Sequence, residues 1–358
     1  MFESITIKNF RAFEDLTIAP LARVNLIAGS NNTGKTSVLE AIYLHVNPND
    51  CQLVLNVNAR GALNPKSSEV MNWIFHRRDT SLPVAIDSID LCRRKRSTKI
   101  WITDGTNEAV FKKINTAHTE FVHQVGDRSS SMKIVAIEHQ ETDSSLPAND
   151  LNVISAMFIK EKGGGSVEPG MKQPKSEFLS SSLSCENNED VKNYSRLDEF
   201  NRTDEVLKDL VKIEPRLKRL SIVVDGNKPT IHADIGLGRL MPVALAGEGM
   251  RRYLSIILAI LNCPQGVVLI DEIENGLHHS VMETVWKAIG RAAREADVQV
   301  FATTHSYECI QAAHHAFDKN KPYDFRLHRL ERNNERLKAI TFNRGNIETA
   351  VEMHMEVR

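Results

Sequence analysis

The segment Gly29-Ser30-Asn31-Asn32-Thr33-Gly34-Lys35-Thr36 constrains this chain more than any other. It fits G-x-x-x-x-G-K-[ST] at every fixed position. It ends the apolar run "VNLIAG" and opens "KTSVLEAIYLHV", whose apolar residues fall at helical spacing. Strand, glycine loop and helix, in that order, is the context in which the pattern cradles phosphate. Gly29 and Gly34 let the backbone N–H groups around Asn31, Asn32 and Thr33 curl about a polyphosphate at a helix N-terminus, where the dipole favours anions. Lys35 is expected to reach the β- and γ-phosphates, the Thr36 hydroxyl to ligate Mg2+, and Ser37 to belong to the same nucleotide-binding set.

A second strand completes the chemistry. In "GVVLIDEIENG" five apolar residues form a buried strand whose carboxyl end presents Asp271 and Glu272, the end at which open α/β sheets bind ligands. Asp271 is expected to hold the hydrated Mg2+ and Glu272 to polarise a water for attack on the γ-phosphate. A further strand, "VQVFATTHS", ends in Thr304-His305. A neutral imidazole there is suited to hydrogen-bond the γ-phosphate and sense whether it is attached.

Composition narrows the remaining classes. With 45 Lys+Arg against 46 Asp+Glu, no global field recruits nucleic acid or an anionic membrane, so such a partner needs a local patch. The densest patch is Arg93-Arg94-Lys95-Arg96, between two strand-like runs. Cys51, Cys92, Cys185, Cys263 and Cys309 are scattered without a CxxC pair, which argues against a zinc site or disulfide framework and suits a reducing cytoplasm. "MFESITIKNF" has no basic-then-apolar export pattern, and "YLSIILAILNC" is too short to span a bilayer. The expectation is a cytoplasmic protein without a membrane partner.

Between the motifs the pattern changes. "PVAIDSIDLC", "TKIWITDG", "MKIVAIEHQ" and "LNVISAMFIK" are short, β-branched and separated by turn residues, which predicts an antiparallel sheet lobe. Residues 161–190 read as mostly loop, with one short strand near "EFLSSS". A helix around "DEVLKDLVKI" leads to "RLSIVVDGNKPTIHADIG", a hairpin turning at Asp225-Gly226-Asn227. The last third returns to α/β: helix "MRRYLSIILAIL", the Asp271 strand, helix "HSVMETVWKAIGRAAREA", the His305 strand, then a strand pair and a short helix. The expected division is residues 1–80, an N-terminal lobe with the phosphate loop; 81–194, the antiparallel lobe and polar insert; and 195–358, a C-terminal lobe with the remaining motifs.

Phosphate loop, then "LAGEG", then "VVLIDEIENGLHH", then "TTHS" resembles the ABC-type ATPase head, in the compact branch of RecF-type and OLD-type ATPases. The resemblance covers roughly residues 1–80 and 195–358, and includes stand-alone anti-phage ATPases such as those of PARIS or Septu-like systems. It implies an α/β P-loop NTPase of ABC-ATPase type, with an antiparallel β lobe and a mixed central sheet flanked by helices. It implies ATP and Mg2+ as ligands, catalytic roles for Lys35, Glu272 and His305, and a place near the nucleotide for Arg11. It also makes "LAGEGMRRYL" a signature motif, in which Gly247, Glu248 and Gly249 cap the ATP held by a second head. "ENGLHH" falls where the family's D-loop crosses that dimer interface, and the doublet His278-His279 with Glu283 raises a metal site as a lesser alternative.

The match departs from the transporter pattern at Ala246, where that pattern has serine, and at Gly249, where it has glutamine. Slow hydrolysis is the expectation, with Arg251 or Arg252 as a compensating charge. Only 53 residues follow His305, too few for the Toprim nuclease domain of OLD proteins, so the chain reads as a head without its own effector. The resemblance therefore implies a head-to-head dimer or higher oligomer that regulates a separately encoded effector such as a nuclease, in the anti-phage arrangement of its relatives. The alternative is a RecF-like ATP-gated DNA clamp. Nucleic acid stays open as a partner, unsupported by net charge.

Overall fold

The computed structural model describes residues 1–58, 68–118, 125, 132–143, 151–160, 163–167, 173–181, 188–226, 228–318, 323–333 and 336–352. The first strands are β1 (Phe2–Phe10), β2 (Phe13–Ile18), β3 (Val24–Ala28), β4 (Val84–Asp90), β5 (Lys95–Asp104), β6 (Lys133–Thr142), β7 (Leu151–Lys160) and β8 (Gly163–Val167). They are followed by β9 (Ser176–Leu179), β10 (Arg219–Asp225), β11 (Lys228–Asp234), β12 (Met241–Pro242), β13 (Val267–Ile270), β14 (Gln299–Thr303), β15 (Phe325–Asn333) and β16 (Arg336–Phe342). The helices are α1 (Lys35–Val46), α2 (Cys51–Asn58), α3 (Ser68–Asn72), α4 (Glu108–Ala117) and α5 (Asn188–Glu199). Then come α6 (Thr203–Leu210), α7 (Glu248–Asn262), α8 (His279–Glu295), α9 (Tyr307–Asp318) and α10 (Arg344–Glu352). Two compact units emerge: Met1–Leu21, Asn31–Pro174 and Leu330–Ile340 form the first, and Ala22–Ser30, Lys175–Arg329 and Thr341–Arg358 the second.

The first unit carries a seven-stranded sheet in the order β2-β1-β4-β5-β6-β7-β8. Its pairs are antiparallel throughout. Period-two alternation places the strands: in β4, Val84, Ile86, Ser88 and Asp90 are buried while the residues between them are half-buried. Helix α1 packs on β1 and β4, and α2 on β6 and β7. Helix α4 builds a smaller core, in which Val110, Phe111 and Ile114 meet Ile134, Ala136, Ala156 and Phe158.

A buried polar chain ties α1 to the sheet. His45 bonds Ser88 Oγ through Nε2 and Thr98 Oγ1 through Nδ1, both at 2.8 Å, and Thr98 Oγ1 bonds His139 Nδ1 at 2.8 Å. Burial holds His45 well below its ordinary pKa and His139 at about 4, so both rings are neutral and each hydroxyl is used. The helix that opens at the phosphate loop is thus anchored at its far end.

The second unit is organised by the neighbouring strands β15-β3-β14-β13-β9, with a separate three-stranded sheet β10-β11-β12. Strands β9, β13, β14, β3 and β15 run parallel. Every residue of β3, β13 and β14 is buried, the pattern of a parallel sheet covered on both faces. Helix α7 is buried from Arg252 to Asn262 and packs against α5, α6 and α8. Trp286 of α8 meets Phe317 of α9 and Phe325 of β15 edge-on, and Phe317 stacks on Phe325 at 5.2 Å.

The strand, loop and helix at the first motif, the antiparallel lobe, and the hairpin pairing Asp225 with Lys228 follow the pattern read from sequence. The stretch 161–190 requires correction. Besides β9 it contains β8, in which the glycine-rich Gly163–Val167 pairs antiparallel with β7, Lys160 opposite Gly163 and Ala156 opposite Val167. Backbone hydrogen bonding along the open edge of β7 outweighs the low strand propensity of glycine. Helix α5 also begins before the loop's expected end, at Asn188. Residues 161–162, 168–172 and 182–187 of that stretch lie outside the described residues. No helix among the described residues is long and apolar enough to cross a membrane.

Candidate functional site

In the first unit, α1 starts directly from the loop. Gly34, its N-cap, takes φ 85°, and Val38 N–H donates to the Gly34 carbonyl at 3.0 Å. A Cβ at Gly34 would lie 2.8 Å from the Phe13 ring, so both backbone conformation and space require glycine here. No side chain caps the helix, and its first turn holds no acidic residue, which suits an anion at this N-terminus. Thr33 and Lys35 are buried, Thr36 and Ser37 half-buried, Asn31 and Asn32 exposed.

Arg11 lies in the left-handed region, φ 49°. Its guanidinium pairs with Glu40 of α1 at 3.1 Å and donates to the Val57 carbonyl at 2.8 Å. Arg11 is therefore coupled to the phosphate-loop helix through a carboxylate that is 1% exposed. The patch Arg93–Arg96 is largely neutralised: Arg94 pairs with Asp90 at 2.8 Å, Arg96 with Glu141 at 3.3 Å and Arg93 with Glu3 at 3.6 Å.

In the second unit, the carboxyl end of β13 presents Asp271, 4% exposed. One hydroxyl organises both carboxylate residues. Thr303 Oγ1 of β14 donates to Asp271 Oδ1 at 2.7 Å and accepts from Glu272 N–H at 2.8 Å. Glu272 takes φ 47°, a left-handed conformation that costs a non-glycine residue about 1 kcal/mol or more and persists where the surroundings dictate it. Here they do: Asn275 donates its backbone N–H to the Glu272 carbonyl at 3.0 Å and its side-chain Nδ2 to Glu272 Oε2 at 2.8 Å.

Beneath this turn Arg252 of α7 is fully buried. Its guanidinium donates to the carbonyls of Ser180 (2.7 Å), Asp271 (2.5 Å) and Glu272 (3.4 Å). Burial lowers its pKa from the ordinary value, while Asp271, Glu274 and Glu272 act to raise it. Arg252 is thus a structural clamp rather than a surface charge for a nucleotide, and of the two arginines only Arg251 lies nearer the surface.

His305 follows β14, with its side chain 48% exposed. Glu274 Oε1 accepts the His305 backbone N–H at 2.9 Å and lies 3.1 Å from the ring Nδ1. The "LAGEG" segment caps α7: Gly247 is the N-cap at φ 113°, with open space around it, and Glu248 is exposed. Gly249 has an intrachain reason to be glycine, since a Cβ there would lie 2.8 Å from the Gly276 carbonyl. His278 caps α8 by accepting from Ser280 N–H, and no group of His, Cys, Asp and Glu among the described residues is arranged to hold a metal by itself.

The second unit thus brings together Asp271, Glu272, the Glu274–His305 pair and the start of α7, and the first unit brings Lys35 and Thr36 to the start of α1, the helix that Arg11 pairs with through Glu40. Sequence reading missed Thr303, Glu274, Asn275, Glu40 and Phe13, whose roles arise from tertiary proximity. For Thr303 a signal existed, in the first hydroxyl of "TTHS".

A glycine loop between buried strand and helix, with a carboxylate pair ending another strand of a parallel sheet, defines a P-loop ATPase fold of the ABC and SMC-head kind. A crystal structure of an Smc head bound to the C-winged helix domain of ScpA has this fold, with a TM-score of 0.50 over 98% of this chain and 99% of that one, at 11% identity. The chain belongs to the AAA family described as "AAA domain, putative AbiEii toxin, Type IV TA system", matched over residues 64–310. Residues 4–44 match a further AAA domain family. A Helicobacter pylori protein named ATP/GTP phosphatase is 24% identical over 329 residues, 87% of each chain. The DNA replication and repair protein RecF of Idiomarina loihiensis is 45% identical over 42 residues, 12% of each chain.

Proposed function

We propose that this protein is a Mg2+-dependent ATPase whose heads close in pairs on ATP and whose nucleotide state controls a separately encoded effector in anti-phage defence. The observation that carries the ATPase reading is the Thr303-organised turn, which holds a buried Asp271 and a Glu272 in a strained, fixed conformation at the end of β13. Such fixed carboxylates are what attack on a phosphoanhydride needs. Backbone N–H groups from Gly29 to Gly34 and the Lys35 ammonium would bind the phosphates, and Glu272 would accept the proton of the attacking water.

The oxygen donors Asp271 and Thr36 suit Mg2+, a hard cation held by few protein oxygens. Bound there, Mg2+ would neutralise charge on the β- and γ-phosphate oxygens. The relative named ATP/GTP phosphatase supports triphosphate cleavage and makes GTP the comparison substrate. The dimer rests on Gly247, whose surroundings are open and which leads an uncapped helix N-terminus. The effector rests on the resemblance to stand-alone heads, and the family description's mention of a toxin–antitoxin system is in keeping with it.

The test is molar mass by light scattering on Glu272→Gln, with and without Mg·ATP, beside steady-state turnover. Lys35→Ala should abolish nucleotide binding, and Glu272→Gln should keep binding while cutting turnover by about 10² to 10⁴, the contribution of a positioned base. With ATP the mass should double from 40.2 kDa, and Gly247→Arg should prevent this while circular dichroism stays native. Wild-type turnover by Glu272→Gln would sink the assignment of the base, and a mass indifferent to nucleotide would sink the closing dimer. The short RecF matches favour a second reading, an ATP-gated DNA clamp. Its mark would be DNA affinity falling with salt at a log-log slope of about 0.9 per phosphate contacted.

A further inference from the structure

The pair Glu274–His305 says which way the imidazole faces chemically. We infer that Glu274 fixes His305 in the tautomer protonated at Nδ1, so that the neutral ring offers Nε2 as an acceptor, to the attacking water rather than to a phosphate oxygen. This deepens the ATPase reading and rests on it. Glu274 Oε1 lies 2.9 Å from the His305 backbone nitrogen, whose N–H it accepts, and 3.1 Å from Nδ1. A carboxylate only accepts, so the ring nitrogen facing it must carry the proton; the other tautomer would set two lone pairs against each other.

The carboxylate itself is well placed to dictate this. Its side chain is 11% exposed against 48% for the ring, and the backbone N–H bond fixes Oε1 before the ring is considered. With Nδ1–H committed, the neutral ring has no N–H left for a phosphate oxygen, which is itself an acceptor. A water O–H, by contrast, is a matching donor for the Nε2 lone pair. Glu274 is then a positioning residue that selects what His305 touches, and the γ-phosphate-bonding role expected for a neutral His305 is replaced by a water-orienting one.

The test combines ring spectra with kinetics on the full chain at pH 8.5. Long-range 1H–15N correlation on 15N-histidine protein, with His305 assigned by its loss in His305→Gln, should show the Nδ1–H tautomer in the wild type. Glu274→Gln keeps an amide oxygen as acceptor for the backbone N–H and for Nδ1–H, and should retain that tautomer and near-wild-type turnover. Glu274→Ala should shift His305 toward Nε2–H and lower kcat about tenfold, the worth of one hydrogen bond, with KM for ATP little changed. An Nε2–H ring in the wild type, or an unshifted ring in Glu274→Ala, would overturn the inference. So would a Glu274→Gln variant as slow as Glu274→Ala. A wild-type protein that hydrolyses neither ATP nor GTP would instead refute the ATPase reading, and with it the water-orienting role, while the ring spectrum would still report whether Glu274 sets the tautomer.

Discussion

Glu177, on the edge strand β9, is a carboxylate that the fold would rather keep protonated. Burial pushes it up to about 7 from an ordinary 4.5, with Asp190 and Glu189 adding to the shift, against the Asn193 amide, which donates to both carboxylate oxygens at 3.0 and 3.1 Å. Below about pH 4 the group is protonated in folded and unfolded chains alike and changes nothing. As pH rises from there to 7, the unfolded chain ionises while the folded one retains its proton, so stability falls. The loss is complete above 7. About 2.5 pH units at 1.36 kcal/mol each give about 3 kcal/mol, and partial solvent access reduces this to about 2.

Glu177→Gln removes the titration while keeping an amide for Asn193. Urea unfolding should therefore show the variant more stable than wild type by about 2 kcal/mol at pH 8.5 and by a few tenths at pH 4, with the m-value unchanged. A variant destabilised equally at both pH values would refute the reasoning, because it would mean that Asn193 holds an ionised carboxylate at no net cost.

Other expectations follow from single contacts. Gly249→Ala places a methyl 2.8 Å from the Gly276 carbonyl, so the start of α7 must shift; a loss of about 1–3 kcal/mol in thermal unfolding, with weakened nucleotide-driven dimerisation, checks it. Thr303→Val takes the hydroxyl from both Asp271 and Glu272 N–H, and should cost about 1–3 kcal/mol of stability and at least tenfold in kcat. Unchanged kcat in that variant would show that the turn does not depend on Thr303.

How much of this was legible differs from residue to residue. The phosphate loop was, because its glycines and lysine answer to backbone geometry at fixed spacing, and Gly34 against Phe13 shows how little room there is for another residue. The Asp271 strand was legible because a run of apolar residues that ends in acids has few other uses. Strand β8 was not, since glycine carries almost no strand signal and the pairing is imposed by β7. Arg252 was misread as a charge for the surface or a nucleotide, although helical spacing sets it above the buried Ile256 and Ala259. The patch Arg93–Arg96 looked like a field in one dimension, because two of the acids that cancel it, Glu3 and Glu141, come from strands remote in sequence. Glu274 and Thr303 lie 31 and 32 residues from the partners that give them meaning.

The Arg252 clamp has a consequence for how such a protein can change over generations. Its guanidinium is fully buried and turns its Nη1 and Nη2 donors on three main-chain oxygens, so no side-chain substitution elsewhere can mimic or replace what it grips. Helix α7 and the end of β13 are therefore inherited as one part. A chimera that imports an α7 without this arginine would leave the carbonyls without a donor, and one that imports a strand end of different backbone course would bury the host's cation against the wrong backbone. Recombination among these ATPases should be tolerated at the exposed turn of the hairpin β10–β11 and punished between residues 252 and 272.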